Sequence, residues 1–503
     1  MKDINWMRHF NRGSYIIPIL FVISLIILGV YVYNFIHMQA NIDEVIIAEH
    51  ACWFSKAGFV KSPLFTGLEQ GWHIRQYHYH KLFVLIGSLL LNIFGFSLYT
   101  FRILNSLFLI ISFYFLWSFI SKKPGNNILQ FLIMFILLLL NRNYVEHALI
   151  YRPETMLMSL GFISFYLLSR SLIQNSKWQL YVSAIFAGLC SFTHLNGLSF
   201  VFAGFFFLIL KKNYKNAFIF GFIAGIVSLL YFFDITTAQE LKSFWHQFSH
   251  DPNLSHEDFS WYGPLIKILN EQMRFFWNET MTTFSLVLII SLILFFRSLK
   301  KEYNHVLVYF LCLVIGLASI AHGKAVKYGI IYFPYIILII SYTLINLKTI
   351  KPVYRIIMII SLSAHFILNI NGIVKFQSDS FNSVKRSHEI AKYLKEKDVE
   401  VFAYEYFFFN GIKDYNIHGT LAFTIFQESK NNKVFNKDDL FRYTEKLNVT
   451  YVIVDSPVIN KRMSRVVNFE DLKKGSEIQN YSVIEKNNDF AIFKLNKKET
   501  NGS

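Results

Sequence analysis

Recurring apolar runs close to bilayer length constrain this chain more than any other feature. A helix needs roughly 20 apolar residues to cross about 30 Å of hydrocarbon, and runs near that length recur between Tyr15 and Ile370. Hydrophobic residues fill 54% of the 503 positions and charged residues only 16%. That is too little charge to cover soluble domains of this size, so the first three quarters reads as membrane-embedded. The basic stretch 1–13 precedes an apolar run at 14–36 with no small-residue cleavage site behind it. It reads as an uncleaved first span and not as a signal peptide.

The formal net charge is +16, yet the cations sit in short clusters between apolar runs and form no single basic face. Nucleic acid is therefore not the expected partner, and the positive-inside rule accounts for the clusters. With Lys2, Arg8 and Arg12 inside, about eleven spans follow: 14–36, 98–120, 128–140, 155–172, a pair split near 194–197, then 217–233, 281–296, 306–320, 328–345 and 356–370. Each predicted inner loop then holds cations such as Lys122, Lys211, Lys300 and Lys351. Counting 80–94 as a span would reverse this order, so it is expected as a helix lying in the outer interface. The expected domains are 1–374, transmembrane with a first outer loop at 37–98, and 375–503, a soluble extracytoplasmic α/β domain. In the latter, a helix at 383–397, β-rich segments at 399–408 and 449–454, and a hairpin from 481–485 and 490–495 are expected. High Lys, Ile, Asn and Phe usage suits an AT-rich genome and a bacterial plasma membrane.

Ionisable groups at the edge of a membrane bundle are costly unless they have a role, and the predicted outer face is dense in them. Asp43, Glu44, Glu49 and His50 follow the first span; His73, Arg75, His78, His80 and Lys81 come next, interleaved with Trp72, Tyr77 and Tyr79. Further outer segments supply Arg142, Glu146, His147, Arg152, Glu154, His194, Asp234, His322, Lys324 and Lys327. The inner loops have few carboxylates. The histidine group lacks the carboxylate spacing of a metal centre, and Cys52, Cys190 and Cys312 are too scattered for a disulfide framework or a metal signature.

The order Asp43-Glu44, Gly58-Phe59-Val60, Ile93-Phe94-Gly95, Phe101-Arg102-Ile103-Leu104-Asn105 and Tyr151-Arg152-Pro153-Glu154 resembles the C-type membrane glycosyltransferases of family 39. That group includes protein O-mannosyltransferases and the lipid A aminoarabinose transferase. The likeness covers about the first 210 residues, with Lys327-Tyr328 and Pro334 resembling a later element. It implies a GT-C-like polytopic fold, a polyprenyl-phosphate sugar donor and an envelope acceptor. Where relatives carry Pro-Pro, often after a Lys, this chain has His80-Lys81 after Tyr79, so Arg75 or Lys81 is expected to take over the phosphate contact.

Such a transfer needs a carboxylate to take the acceptor proton and cations to stabilise the departing phosphate. Asp43 is the candidate base, with Glu44 as its partner or as a ligand to a divalent cation; the cofactor is otherwise unknown. Arg152, Lys324 and Lys327 are candidates for the phosphate, and Glu154, Arg75, His78, His80, Lys81 and His194 are candidates for substrate contact. One base opposite the leaving phosphate predicts inversion. The competing readings are a flippase or transporter of lipid-linked sugars, and a polysaccharide polymerase or ligase using a diphosphate-linked glycan.

Overall fold

Apolar runs become helices here because a backbone in hydrocarbon has to satisfy its own N–H and C=O groups. The computed structural model describes residues 15–68, 71–123, 126–251, 263–321, 326–378, 383–427 and 435–496. The main helices are α1 (Ile16–His37), α2 (Ile42–Ala57), α3 (Lys81–Phe94), α4 (Leu98–Ile120), α5 (Asn127–Leu139), α6 (Arg142–Ala148), α7 (Pro153–Gln174), α8 (Lys177–Thr193), α9 (Leu198–Leu210), α10 (Tyr214–Ser228), α11 (Ala238–Ser249), α12 (Glu279–Glu302), α13 (Asn304–Ile320), α14 (Phe333–Ile345) and α15 (Pro352–Ser378), with short helices at Gly263–Leu269 and Gln272–Phe275 between α11 and α12.

Among the described residues seven helices are long and apolar enough to cross a membrane, or eight if α5 and α6, bent by 72° at their junction, form one span. The chain is thus a multi-span helical membrane protein. Shorter apolar helices occupy Lys81–Phe94, Leu195–Leu210 and Asn304–Ile320; eight long spans and these three reach eleven only by counting 81–94, which is expected at the interface. Helices α7 and α14 lie innermost, whereas α1 turns Phe21, Val22, Leu25 and Ile26 outward, as a lipid-facing helix does. The break between α8 and α9 falls at His194, as expected. Gly197 makes it feasible, because a Cβ there would meet the Cys190 carbonyl at 2.1 Å.

Two segments carrying no expected secondary structure are helical. Residues 42–57 form α2, started by a capping box in which Asn41 receives the Asp43 amide and Glu44 reaches back to the Asn41 amide. The polar stretch after α10 contains α11, capped in the same way by Thr237 and Glu240.

The C-terminal part holds a six-stranded sheet in the order β2-β1-β3-β6-β5-β4. Its strands are β1 (Val399–Ala403), β2 (Tyr415–Gly419), β3 (Tyr451–Asp455), β4 (Glu477–Ile478), β5 (Tyr481–Lys486) and β6 (Phe490–Leu495), with α16 (Ser383–Ala391) and α17 (Lys437–Lys446) beside them. Strand β1 pairs in parallel with β2 and β3, and β6 runs antiparallel to β3 and β5. The hairpin is present, but β1 stops at Ala403. The chain then turns so that buried Glu405 receives the Leu421 amide at 2.6 Å, and Phe408 and Phe409 pack on Phe96 beside α4. The Tyr443 hydroxyl adds a bond to the Thr66 carbonyl at 2.6 Å. The sheet domain is therefore seated on the loop between α2 and α3.

Candidate active site

A cavity of about 450 Å³ opens where α2, the 76–80 segment, the start of α7, the break at His194 and the turn at 326–332 converge. Asp43, Ile46, Ile47 and His50 line it from one face of α2, as the helical i, i+3, i+4, i+7 spacing requires. Asp43 sits in the first turn of that helix, where the positive end of the macrodipole favours a carboxylate. Its side chain is about half exposed, at 45%.

Arg152 stands at the N-cap of α7, ahead of Pro153 at the first helical position. Its Nε and one terminal nitrogen grip Glu154 at 3.1 and 2.7 Å, and the other terminal nitrogen pairs with Asp43. Lys327 reaches the same Asp43 oxygen at 3.3 Å. The guanidinium has five N–H donors, of which these contacts use three. Asp43 thus joins two cations drawn from residues far away in sequence.

Neutral histidines form the opposite wall. His80 and His194 stack with centroids 4.7 Å apart. The Asn196 amide donates to His194 Nδ1 at 2.9 Å, which leaves the ring proton on Nε2, 3.4 Å from the Tyr328 hydroxyl. Burial holds His194 down to about 3, and His80 well below the usual imidazole range. His50 contacts Ser62 at 2.9 Å and is likewise pushed down by burial to about 3. His78 lines the cavity beside Asp251, at 3.6 Å. Trp72, Tyr79 and Phe248 supply aromatic surface.

Several expected contacts lie elsewhere. Glu44 is fully buried, and both its oxygens receive Arg102 at 2.9 Å while one also accepts the Tyr151 amide at 2.8 Å. It faces away from the cavity, because position 44 is about 100° around the helix from position 43. The expectation of Glu44 as catalytic partner or metal ligand is corrected accordingly. Lys81 is buried against Asp234, which also receives the Tyr79 hydroxyl at 2.8 Å. Arg75 pairs with Glu240 at 3.0 Å and lines a separate groove with Tyr77, because along an extended segment alternate side chains point to opposite sides. Neither cation reaches the cavity. Glu154 stands behind Arg152 and does not line it. Lys324 and His322 lie outside the described residues.

Among the described residues no group of three or more His, Cys, Asp or Glu is arranged to hold a metal ion. Of the two residues named for a divalent cation, only Asp43 lines the cavity, because Glu44 is spent on Arg102. His50 was absent from the expected contacts. The signal for it was the capping box at Asn41, which starts a helix and puts His50 on the face of Asp43.

No protein-family model and no curated protein sequence matches the chain. Solved structures do. ArnT from Cupriavidus metallidurans bound to undecaprenyl phosphate superposes with a TM-score of 0.60 at 9% identity, covering 98% of this chain and 100% of that one. Its apo form gives 0.57 at 10%, covering 96% and 98%. The archaeal oligosaccharyltransferase AglB from Archaeoglobus fulgidus, in complex with an inhibitory peptide and a dolichol-phosphate, gives 0.52 at 11%, covering 91% and 71%. The chain has a C-type glycosyltransferase fold. At such identities the likeness is one of architecture, and it extends through the C-terminal sheet as well as the helical bundle, as coverage of nearly the whole chain requires.

Proposed function

We propose that this protein is a glycosyltransferase moving a sugar from a polyprenyl-phosphate carrier to an envelope acceptor at the non-cytoplasmic face of a bacterial plasma membrane. The carrying observation is the convergence of Asp43, Arg152 and Lys327 at the rim of one cavity. Two proteins of this fold are described with a polyprenyl phosphate bound, and a phosphate is the ligand that an arginine and a lysine suit.

In this reading the two cations exchange Asp43 for the donor phosphate. Arg152 has two N–H donors beyond its contacts to Glu154 and Asp43, and Glu154 fixes the guanidinium plane as the lipid arrives. Asp43, released but still at a helix N-terminus, accepts the proton of the acceptor hydroxyl or amine as that atom attacks the anomeric carbon. The C–O bond to phosphate breaks, the electron pair leaves on phosphate oxygen beside Arg152 and Lys327, and attack from the opposite side inverts the anomeric centre. The aromatic wall offers apolar surface to the sugar ring, and the neutral histidines add no positive charge that would hold the phosphate product.

Purified protein, incubated with labelled polyprenyl-phosphate sugars and a cell-envelope extract, is expected to move label to an acceptor, and the Asp43→Asn variant is expected to fold normally and move none. Full transfer by that variant would refute the base. Movement of label across vesicles without transfer would favour a flippase, and consumption of a diphosphate-linked glycan a polymerase or ligase. A reporter fused after residue 60 is expected outside the cytosol.

A further inference from the structure

The turn at 326–332 carries two side chains of the cavity and has little of its own to hold its shape. It is a 3₁₀ helix of seven residues, Val326–Tyr332, whereas such runs beyond about four residues are uncommon because their hydrogen-bond geometry is poor. From it Lys327 reaches Asp43 at 3.3 Å, and the Tyr328 hydroxyl stands 3.4 Å from His194 Nε2. The support behind this turn comes from the outer segment that precedes α12. Arg274 and Glu271 are both buried there and pair at 2.6 Å. The guanidinium lies over the Tyr328 ring, 5.8 Å from its centroid, and the Glu271 carboxylate receives the Tyr332 hydroxyl at 2.7 Å. The pair thus touches the turn at both ends. Phe275 stacks on Tyr332 with centroids 5.4 Å apart, and its carbonyl receives the Ser285 hydroxyl at 2.7 Å, which fastens the segment to α12. Neither Arg274 nor Glu271 lines the cavity.

We propose that Arg274 and Glu271 are positioning residues that set the 326–332 turn and so keep Lys327 and Tyr328 aimed into the cavity. A buried ion pair repays its desolvation poorly, and apolar residues of the same volume often serve stability as well. A charged pair held under this turn is therefore better explained by the geometry it imposes. The inference rests on the reading of that cavity as the transfer site, where it has a definite use. Once a donor phosphate takes the place of Asp43, the Lys327 ammonium loses that anchor on a flexible stem, and its backbone has to be held from behind.

Amine labelling of the purified full chain in detergent, followed residue by residue by mass spectrometry, reads this geometry without any turnover. The combined Glu271→Gln and Arg274→Met variant leaves no unmatched buried charge between the two positions. Lys327 is expected to label about fivefold faster in it and about twofold faster in Tyr332→Phe, which removes one hydroxyl bond. Lys81, buried against Asp234 on another wall, is expected to label at the wild-type rate in both. Tyr332→Phe keeps the ring on Phe275, so the test holds even if the combined variant folds poorly. With a labelled polyprenyl-phosphate sugar, the combined variant is expected to raise the donor KM about tenfold with kcat within about twofold, and to add nothing in a Lys327→Ala background. Wild-type labelling of Lys327 in either variant, faster labelling of Lys81 alongside it, or KM increases that multiply with Lys327→Ala would each overturn the proposal. Because labelling needs no reaction, an inactive wild-type protein would refute the transfer reading while the Lys327 rate still decides the brace.

Discussion

Asp43 and Glu44 are neighbours in sequence and each meets an arginine, yet the two pairs differ in what they leave over. Arg102 spends all five donors: two on Glu44, and the rest on the carbonyls of Phe35, Met38 and Gln39 at 2.9 to 3.2 Å. Both partners are fully buried. That pair ties the end of α1 to α2 and α4 and has nothing to offer a ligand. Arg152 makes three such contacts, and its partner Asp43 is half exposed beside a second cation. A saturated pair is framework, and an unsaturated pair at a cavity can exchange partners.

The sharpest way to break this comparison is to neutralise the two carboxylates in turn. Asp43→Asn is expected to lower the transfer rate about a thousandfold, the range of a lost general base, with no change in thermal midpoint. Glu44→Gln is expected to leave Arg102 buried with its charge unmatched and to cost about 3 kcal/mol or more of stability, read as loss of folded protein in detergent. If the two variants exchanged phenotypes, the assignment of base and framework would be reversed. Arg152→Gln should follow, with a fall in transfer of about a hundredfold, the scale of one lost electrostatic contact to developing charge. Lys327→Ala should raise the donor KM by about tenfold, the smaller effect of the more distant cation.

The smallest expected effects are in pH dependence, where the adjacent residues Glu49 and His50 have opposite signs. His50 is held at about 3 against an ordinary 6.5, so the unfolded chain binds more protons in that interval and stability falls on acidification below pH 6.5. Glu49 is raised from 4.5 to about 8, so the folded chain binds more protons there and stability falls as pH rises through that interval. Each slope is at most about 1.4 kcal/mol per pH unit. Between pH 5 and 6.5 the two slopes oppose each other, so His50→Gln should unmask a thermal midpoint that falls with rising pH there, and Glu49→Gln should flatten the fall between pH 6.5 and 8.

How much of this was legible beforehand varies by element. Spans such as Leu98–Ile120 and the break at His194 were readable because twenty apolar residues in a row admit few structures. The hairpin of β5 and β6 was readable from two β-rich runs around a polar turn. Strand β2 was not foreseen, since Tyr415–Gly419 is short and contains Asn416 and His418, and only pairing with β1 stabilises it as a strand. Helix α2 went unread because its first turn is polar, although the capping box at Asn41 was a sufficient signal.

The sequence by itself determined a helical membrane protein with a sheet at its end and a crowd of ionisable groups between spans, because hydropathy and charge are properties of composition and order. Which of those groups face one another was decided by the tertiary structure alone. Asp43 differs from Glu44 by a single helical step, and Lys81 and Arg75 are held outside the cavity by Asp234 and Glu240, whereas Lys327 meets its carboxylate, Asp43, at the cavity rim. A charge becomes available to a ligand when its neighbours leave donors unspent, and those neighbours come from distant parts of the chain.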